Sequence, residues 1–204
     1  MTSTRIIIFA KAPQPGFAKT RLIPALGAEG AAKLAQQMLA NTLSEALAAG
    51  IGTVELCGTP KIDDVAWQGI TLPIGIEISD QGEGDLGARL ARASERAIEN
   101  AEAVLLIGTD CVEISATLLR EAAQSLHEHD AVIHCTADGG YALLGLKRYS
   151  AVLFSDMPWS TDAVASTTIA RIGQLGWTLH IGQLLHDVDA PQDLKFLSPK
   201  MVFV

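Results

Sequence analysis

"AVLLIGTDC", residues 103–111, decides the fold. Its opening run is apolar at every position, so it is not a strand with one face in water. A strand covered on both faces belongs to a sheet lying between two layers of helices, with crossovers that favour parallel pairing. The run ends at Gly108 and passes at once into Thr109, Asp110 and Cys111. A charged residue just beyond the carboxyl end of a buried strand sits where open α/β sheets bind their ligands.

Working outward, strands and helices alternate. "RIIIF" (5–9), "TVELC" (53–57), "GIEIS" (75–79), "AVIHC" (131–135), "YALLGL" (141–146) and "WTLHI" (177–181) read as strands. Residues 28–50, 85–101, 115–129, 161–176 and 190–197 read as helices, with Ser115 as an N-cap, Gly50 as a C-cap and Pro191 near a helix start. The gap between "AVIHC" and "YALLGL" is too short for a crossover helix, so one strand there is expected to run antiparallel. The expectation is a single α/β domain over 1–204, a three-layer αβα sandwich on a mostly parallel mixed sheet, Rossmann-like in its layers.

Composition narrows the function. The chain has 204 residues, 23 acidic against 15 basic, and a net charge of −8. A general nucleic-acid binder needs a basic surface, so that class is excluded as an expectation. No apolar run approaches the roughly 20 residues of a membrane span. "MTSTRIIIF" lacks the pattern of a signal peptide. Cys57, Cys111 and Cys135 are too few and too scattered for a disulfide framework or a CxxC zinc site, and a reducing cytoplasm is expected.

Against that acidic background, "FAKAPQPGFAKTRL" (9–22) holds Lys11, Lys19 and Arg21 and no acid. Pro13, Pro15 and Gly16 shape the loop. Arginine offers a fork to phosphate and lysine a mobile point charge. The stretch is not a P-loop, because Ala18 stands where the glycine before the lysine is needed. "GEGDLG" (82–87) matches a dinucleotide fingerprint in form, but Glu83 and Asp85 would repel a pyrophosphate there. The competing readings are a turn with Asp85 capping the next helix, or a substrate loop using Gly84 and Asp85. A dehydrogenase binding NAD at this loop is the weaker alternative.

Two further aspartates, Asp187 and Asp189, lie in "HDVDAPQD" (186–193). Read as alternating along an extended segment, one would point in and the other out. An inward Asp189 beside Asp110 would form a hard-oxygen site for Mg²⁺ or Mn²⁺. Such an ion relieves the repulsion between the carboxylates and binds a phosphate chain from one side, while the cationic loop binds it from the other.

"FAKAPQPGFAKTRL", "QGEGDLGARL", "IGTDC", "ADGGYALLGL", "PWSTDAV" and "DVDAPQDL" occur in an order that resembles a group of bacterial proteins labelled arsenosugar-biosynthesis or selenodomain-associated glycosyltransferases. The group belongs to the nucleotide-diphospho-sugar transferase (GT-A) superfamily, which includes molybdenum-cofactor and phospholactate nucleotidyltransferases. The resemblance implies a GT-A fold, nucleotide phosphates held by Lys11, Lys19 and Arg21, and metal carboxylates at Asp110 and Asp189. It implies an acceptor-side loop at "ADGGY" (137–141), where Gly139 and Gly140 admit close backbone approach. Asp138 there is either a catalytic base or a turn residue, and Arg21 is the second catalytic candidate. Trp159 is either a stacking surface or core. Val112 stands where the group carries proline after "GTDC". Cys111 reads as a packed small residue. The expected partners are a nucleotide or nucleotide sugar and a small-molecule acceptor, with self-association left open. The expected activity is glycosyl transfer; nucleotidyl transfer to a small phosphorylated or carboxylate acceptor and non-catalytic nucleotide binding are the alternatives.

Overall fold

A computed structural model describes residues 4–100 and 103–197. Seven strands form one sheet: β1 (Thr4–Lys11), β2 (Val54–Thr59), β3 (Glu77–Asp80), β4 (Ala103–Ile107), β5 (Ala131–Cys135), β6 (Tyr141–Leu146) and β7 (Leu179–Ile181). Four α-helices flank it: α1 (Ile23–Ala49), α2 (Leu86–Glu99), α3 (Ala116–Glu128) and α4 (Val164–Gln174). The strand order is β3-β2-β1-β4-β6-β5-β7. Only β6 runs antiparallel to its neighbours, because five residues from β5 permit a hairpin and no helical crossover.

The apolar run of β4 does what its composition demands. Leu105 and Ile107 enter one core with α1 and α3, while Val104 and Leu106 enter a second core with α2 and α4. Each of the four is at most 3% exposed. Burying such a side chain contributes about 1.5–3 kcal/mol, so both faces of this strand stabilise the sandwich.

Several boundaries move for local reasons. Helix α1 starts at Ile23, ahead of the expected 28, since Pro24 occupies its first turn; Gly27 interrupts it with φ 71°. Helix α4 starts at Val164, after a turn in which the Thr161 hydroxyl accepts from the Ala163 N–H at 3.3 Å. The segment after Pro191 is a 3-10 helix, Pro191–Phe196. Strand β3 is exposed and shifted to 77–80, as an edge strand with one neighbour. The expected absence of a signal peptide concerns a stretch whose residues 1–3 lie outside the described residues, as does the end of the expected helix at 101. Among the described residues no helix is long and apolar enough to cross a membrane.

The order places β1 centrally, with its sequence neighbour β2 on one side and β4 on the other. Chain connections diverge at this point, leaving a crevice beyond the carboxyl ends of β1 and β4. Because β6 is antiparallel, its first residue, Tyr141, opens onto that same edge.

Candidate active-site cleft

The crevice is a cleft of about 770 Å³. One wall is the loop after β1, the floor is the end of β4, and the other wall is the start of β6 with residues 159–164. Lys11, Lys19, Arg21, Asp110, Asp138, Gly140, Asp187 and Asp189 all line it.

The floor is assembled by clipping the loop before Pro191 onto the loop after β4. The Val188 N–H donates to the Asp110 carbonyl at 2.8 Å, and Cys111 pairs with Asp187 in an isolated bridge. Glu113 accepts from the His186 backbone N–H at 2.7 Å. Asp193 accepts from the N–H groups of Asp189 and Ala190 at 3.1 and 2.8 Å. Val112 packs partly buried against the small core around Leu22 and Val188.

This corrects the expectation that Asp187 and Asp189 face opposite ways. Residues two apart on an extended segment share a side, and the one between them points away. Val188 is that residue, fully buried among Leu22, Leu34 and Met38, so both aspartates face the cleft. Asp187, expected to point away if Asp189 points inward, is thereby brought to the site as well. The signal was present in the apolar residue between two acids.

Lys19 also departs from its expected place. It adopts a left-handed conformation with φ 48°, and its side chain is only 7% exposed. Its Nζ donates to the Val188 carbonyl at 2.7 Å and to Asp189 Oδ1 at 2.9 Å, and pairs with Asp110 Oδ1. Asp110 and Asp189 are therefore brought together, but through an ammonium. Burial alone would lower the Lys19 ammonium; the Asp110 and Asp189 carboxylates outweigh it and hold the pKa above its ordinary value. Arg21 instead projects into solvent, 74% exposed, with its guanidinium 3.8 Å from Asp189. Lys11 is exposed and donates to the Phe17 carbonyl at 3.2 Å. These two cations remain at the mouth.

Asp187 has the most perturbed carboxyl of the floor. Burial raises it, and repulsion from Asp110, Asp138 and Asp189 adds to that, with Lys19 partly offsetting, to about 7. Among the described residues no three His, Cys, Asp or Glu side chains form a ready metal cage. The donor set nonetheless fits a hard divalent ion, since Mg²⁺ is commonly held by one or two carboxylates completed by substrate phosphates. Asp110, Asp187 and Asp189 supply such oxygens with one ammonium among them. Burial pushes the Cys111 thiol up to about 11, which keeps it protonated as a packing residue.

On the β6 side, Asp138 Oδ1 accepts from the Thr136 hydroxyl at 2.6 Å and the Gly140 N–H at 3.2 Å. It is thus a turn residue that also lines the cleft. Gly139 has φ 91°, and a Cβ there would lie 2.2 Å from the Asp162 carbonyl oxygen, so only glycine lets the two loops meet. Tyr141 and Trp159 line this wall, and burial raises the Tyr141 phenol far above its usual value. Trp159 also packs on the α2–α4 core, as the second of its two readings expected.

The structure keeps Gly84 and Asp85 off the cleft wall. The Asp85 carboxylate caps α2, accepting from the Ala88 N–H at 2.8 Å. Arg89 donates to the Gly84 carbonyl at 2.9 Å and Arg92 to that of Glu83 at 2.8 Å, tying down the loop from α2. Gln81, which the sequence reading did not select, does line the cleft; its side-chain N–H groups donate to the Ala10 and Cys57 carbonyls at 3.2 and 3.1 Å.

Residues 42–161 match the family described as uncharacterized protein conserved in bacteria (DUF2064). No match was found among proteins of curated function. A provisionally named nucleotide-diphospho-sugar transferase from Desulfovibrio desulfuricans G20 is similar at TM-score 0.88 and 27% identity, over 98% of this chain and 88% of that one. A nucleotidyl transferase from Methanothermobacter thermautotroptrophicus is similar at TM-score 0.62 and 17% identity, over 98% of each chain. A Mycobacterium tuberculosis H37Rv protein solved in complex with manganese is similar at TM-score 0.54 and 16% identity, over 96% of this chain and 98% of that one. The last two show the shared fold.

Proposed function

The chain belongs to the DUF2064 family, and we propose that it is a metal-dependent transferase acting on an activated nucleotide. The reaction proposed is glycosyl transfer from a nucleotide sugar to a small acceptor, in the group labelled arsenosugar-biosynthesis or selenodomain-associated glycosyltransferases. The single observation that carries this reading is the carboxylate floor, Asp110, Asp187 and Asp189, facing a mouth with Lys11 and Arg21. Likeness to the Desulfovibrio transferase supports the direction.

Asp110, Asp187 and Asp189 would hold Mg²⁺ or Mn²⁺, which when bound neutralises charge on a diphosphate. Lys11 and Arg21 bind and orient the outer phosphates. Lys19 restrains the two flanking aspartates rather than meeting the phosphate itself. In the transfer, the acceptor oxygen bonds to the anomeric carbon while that carbon's bond to the diphosphate oxygen breaks, its electron pair leaving with the diphosphate. The acceptor proton passes to Asp138, whose Oδ1 is held by Thr136 and Gly140 while its carboxylate lines the cleft. Positioning and charge stabilisation carry the rate.

Nucleotidyl transfer is the second reading, favoured by the exposed Lys11 and Arg21, which suit a longer phosphate chain. A thermal-shift panel separates them. Nucleoside triphosphates, diphosphates and nucleotide sugars are tested with Mg²⁺, Mn²⁺ or EDTA; a ligand of the folded state raises Tm by mass action. Stabilisation by a nucleotide sugar beyond its parent diphosphate, only with metal, supports glycosyl transfer. Preference for a triphosphate supports nucleotidyl transfer, and no metal-dependent shift refutes both.

A further inference from the structure

The two walls of the cleft differ in charge. Among the described residues, the three cations that line it, Lys11, Lys19 and Arg21, come from β1 and the loop after it. The opposite wall, from Asp138 to Val164, contributes Asp138, Asp162, Tyr141 and Trp159 and, among the described residues, no lysine or arginine.

Arginines do occur behind that wall, but their guanidinium groups are committed elsewhere. Arg89 and Arg92 donate to loop carbonyls of residues 81–84. Arg171 donates to the carbonyls of Val152, Ser155 and Asp156, with the first and last at 2.8 and 3.2 Å. None of the three lines the cleft.

What remains exposed to a ligand is flat, apolar and mildly polar. Tyr141 and Trp159 stand with Leu86 and Leu90 of α2. Among the described residues the Tyr141 hydroxyl has no hydrogen-bond partner, so it is available to a bound molecule. Trp159 approaches α2 closely because position 87 is glycine: a Cβ there would meet the indole nitrogen at 3.0 Å and the Phe154 carbonyl oxygen at 2.4 Å.

An anionic acceptor placed here would face Asp138, Asp162 and Asp187 with no cation on its own side. Inside a cleft such repulsion is weakly screened and excludes like charge. We infer that the wall formed by Tyr141 and Trp159 is an acceptor subsite that takes an uncharged hydroxyl compound with a flat apolar face and rejects phosphorylated and carboxylated ones. This rests on the transferase reading and narrows it, because an acceptor bearing a phosphate or carboxylate is what the nucleotidyl alternative requires.

Two probes share one ring and one hydroxyl and differ in charge: para-(hydroxymethyl)benzamide, neutral, and para-(hydroxymethyl)benzoate, anionic. Each is titrated by saturation-transfer NMR into protein loaded with Mg²⁺ and the nucleoside diphosphate that stabilises it best. The benzamide is expected to bind at least about tenfold more tightly than the benzoate at low salt. That ratio should shrink as salt rises from about 0.05 M to about 0.5 M, when the Debye length falls well below the cleft dimensions. Asp162→Lys should narrow it, and Tyr141→Phe should weaken the benzamide about fivefold, the loss of one hydrogen bond.

Equal or tighter binding of the benzoate overturns the inference, as does failure of both probes to bind. Unchanged benzamide affinity in Tyr141→Phe overturns the placement. The wild-type ratio and its salt dependence decide the charge question even if Asp162→Lys does not fold. Failure of every nucleoside diphosphate to bind would sink the transferase reading first, and that outcome is distinct from a nucleotide-loaded protein that prefers the anion.

Discussion

Replacing Asp187 with asparagine should stabilise the protein in the absence of divalent metal, an unusual outcome for a change in an acidic cleft. Asp187 is partly buried and faces Asp110, Asp138 and Asp189, and its carboxyl is raised to about 7. A raised folded-state pKa means that the native protein holds a proton the unfolded chain has already lost. Its contribution is therefore fully present below about pH 4 and lost as pH climbs through about 7. The displacement of about three units corresponds to a ceiling of about 4 kcal/mol. Partial exposure of the side chain reduces that to an expected ~1–3 kcal/mol. At roughly 2–4 °C per kcal/mol for a chain of this size, Tm of Asp187→Asn should exceed wild type by about 2–12 °C at pH 8. The gap should close towards pH 4. Calorimetry in EDTA across that range reads it directly. With excess Mg²⁺ at pH 8 the order should shrink or reverse, since a cation bound to the ionised floor stabilises only the wild type. A variant less stable than wild type at pH 8 in EDTA, or a gap independent of pH, would refute the charge argument.

The other predictions test neighbouring parts of the site. Lys19→Met should destabilise by about 1–3 kcal/mol in urea melts without metal, because it strips Asp110 and Asp189 of a buried counter-ion, and Mg²⁺ should recover part of the loss. Arg21→Ala should leave stability within about 0.5 kcal/mol, since the side chain is exposed, yet weaken nucleotide binding about tenfold by titration calorimetry. Gly139→Ala should cost about 1–3 kcal/mol and broaden NMR signals of residues 136–141 and 160–164, as its Cβ would meet the Asp162 backbone. Asp138→Asn should lower turnover far more than nucleotide affinity; a matching loss in both would make Asp138 a turn residue alone.

The layers of this protein were legible because they follow from local rules. An all-apolar strand needs cover on both faces, and a five-residue gap forbids a crossover. The mixed sheet with its one antiparallel strand follows from those two facts. What the sequence did not disclose is how long side chains choose among partners. Lys11, Lys19 and Arg21 look alike in a list of cations, but Lys19 alone takes a left-handed backbone that aims it inward at two carboxylates. Asp85 was equally ambiguous between cap and ligand until the helix start fixed it as a cap.

The inward turn of Asp187 is encoded by its neighbour. Val188 between two acids carries a period-two pattern, and burying it turns both neighbours to the opposite side. The consequence is electrostatic. A floor of three aspartates with a single embedded ammonium is under-neutralised, and that deficit adds to the burial that chiefly raises the Asp187 carboxyl. The outer cations cannot repair it, because Arg21 lies at the solvent edge, 3.8 Å from Asp189 at its nearest, and Lys11 is turned to the Phe17 carbonyl. The deficit is therefore local to the floor, and a hard cation arriving with a phosphate is the kind of ligand that removes it. The wall beyond, with acids and aromatics but, among the described residues, no lysine or arginine, has no comparable need, and on that contrast rests the proposal that the two substrates of a transfer differ in charge.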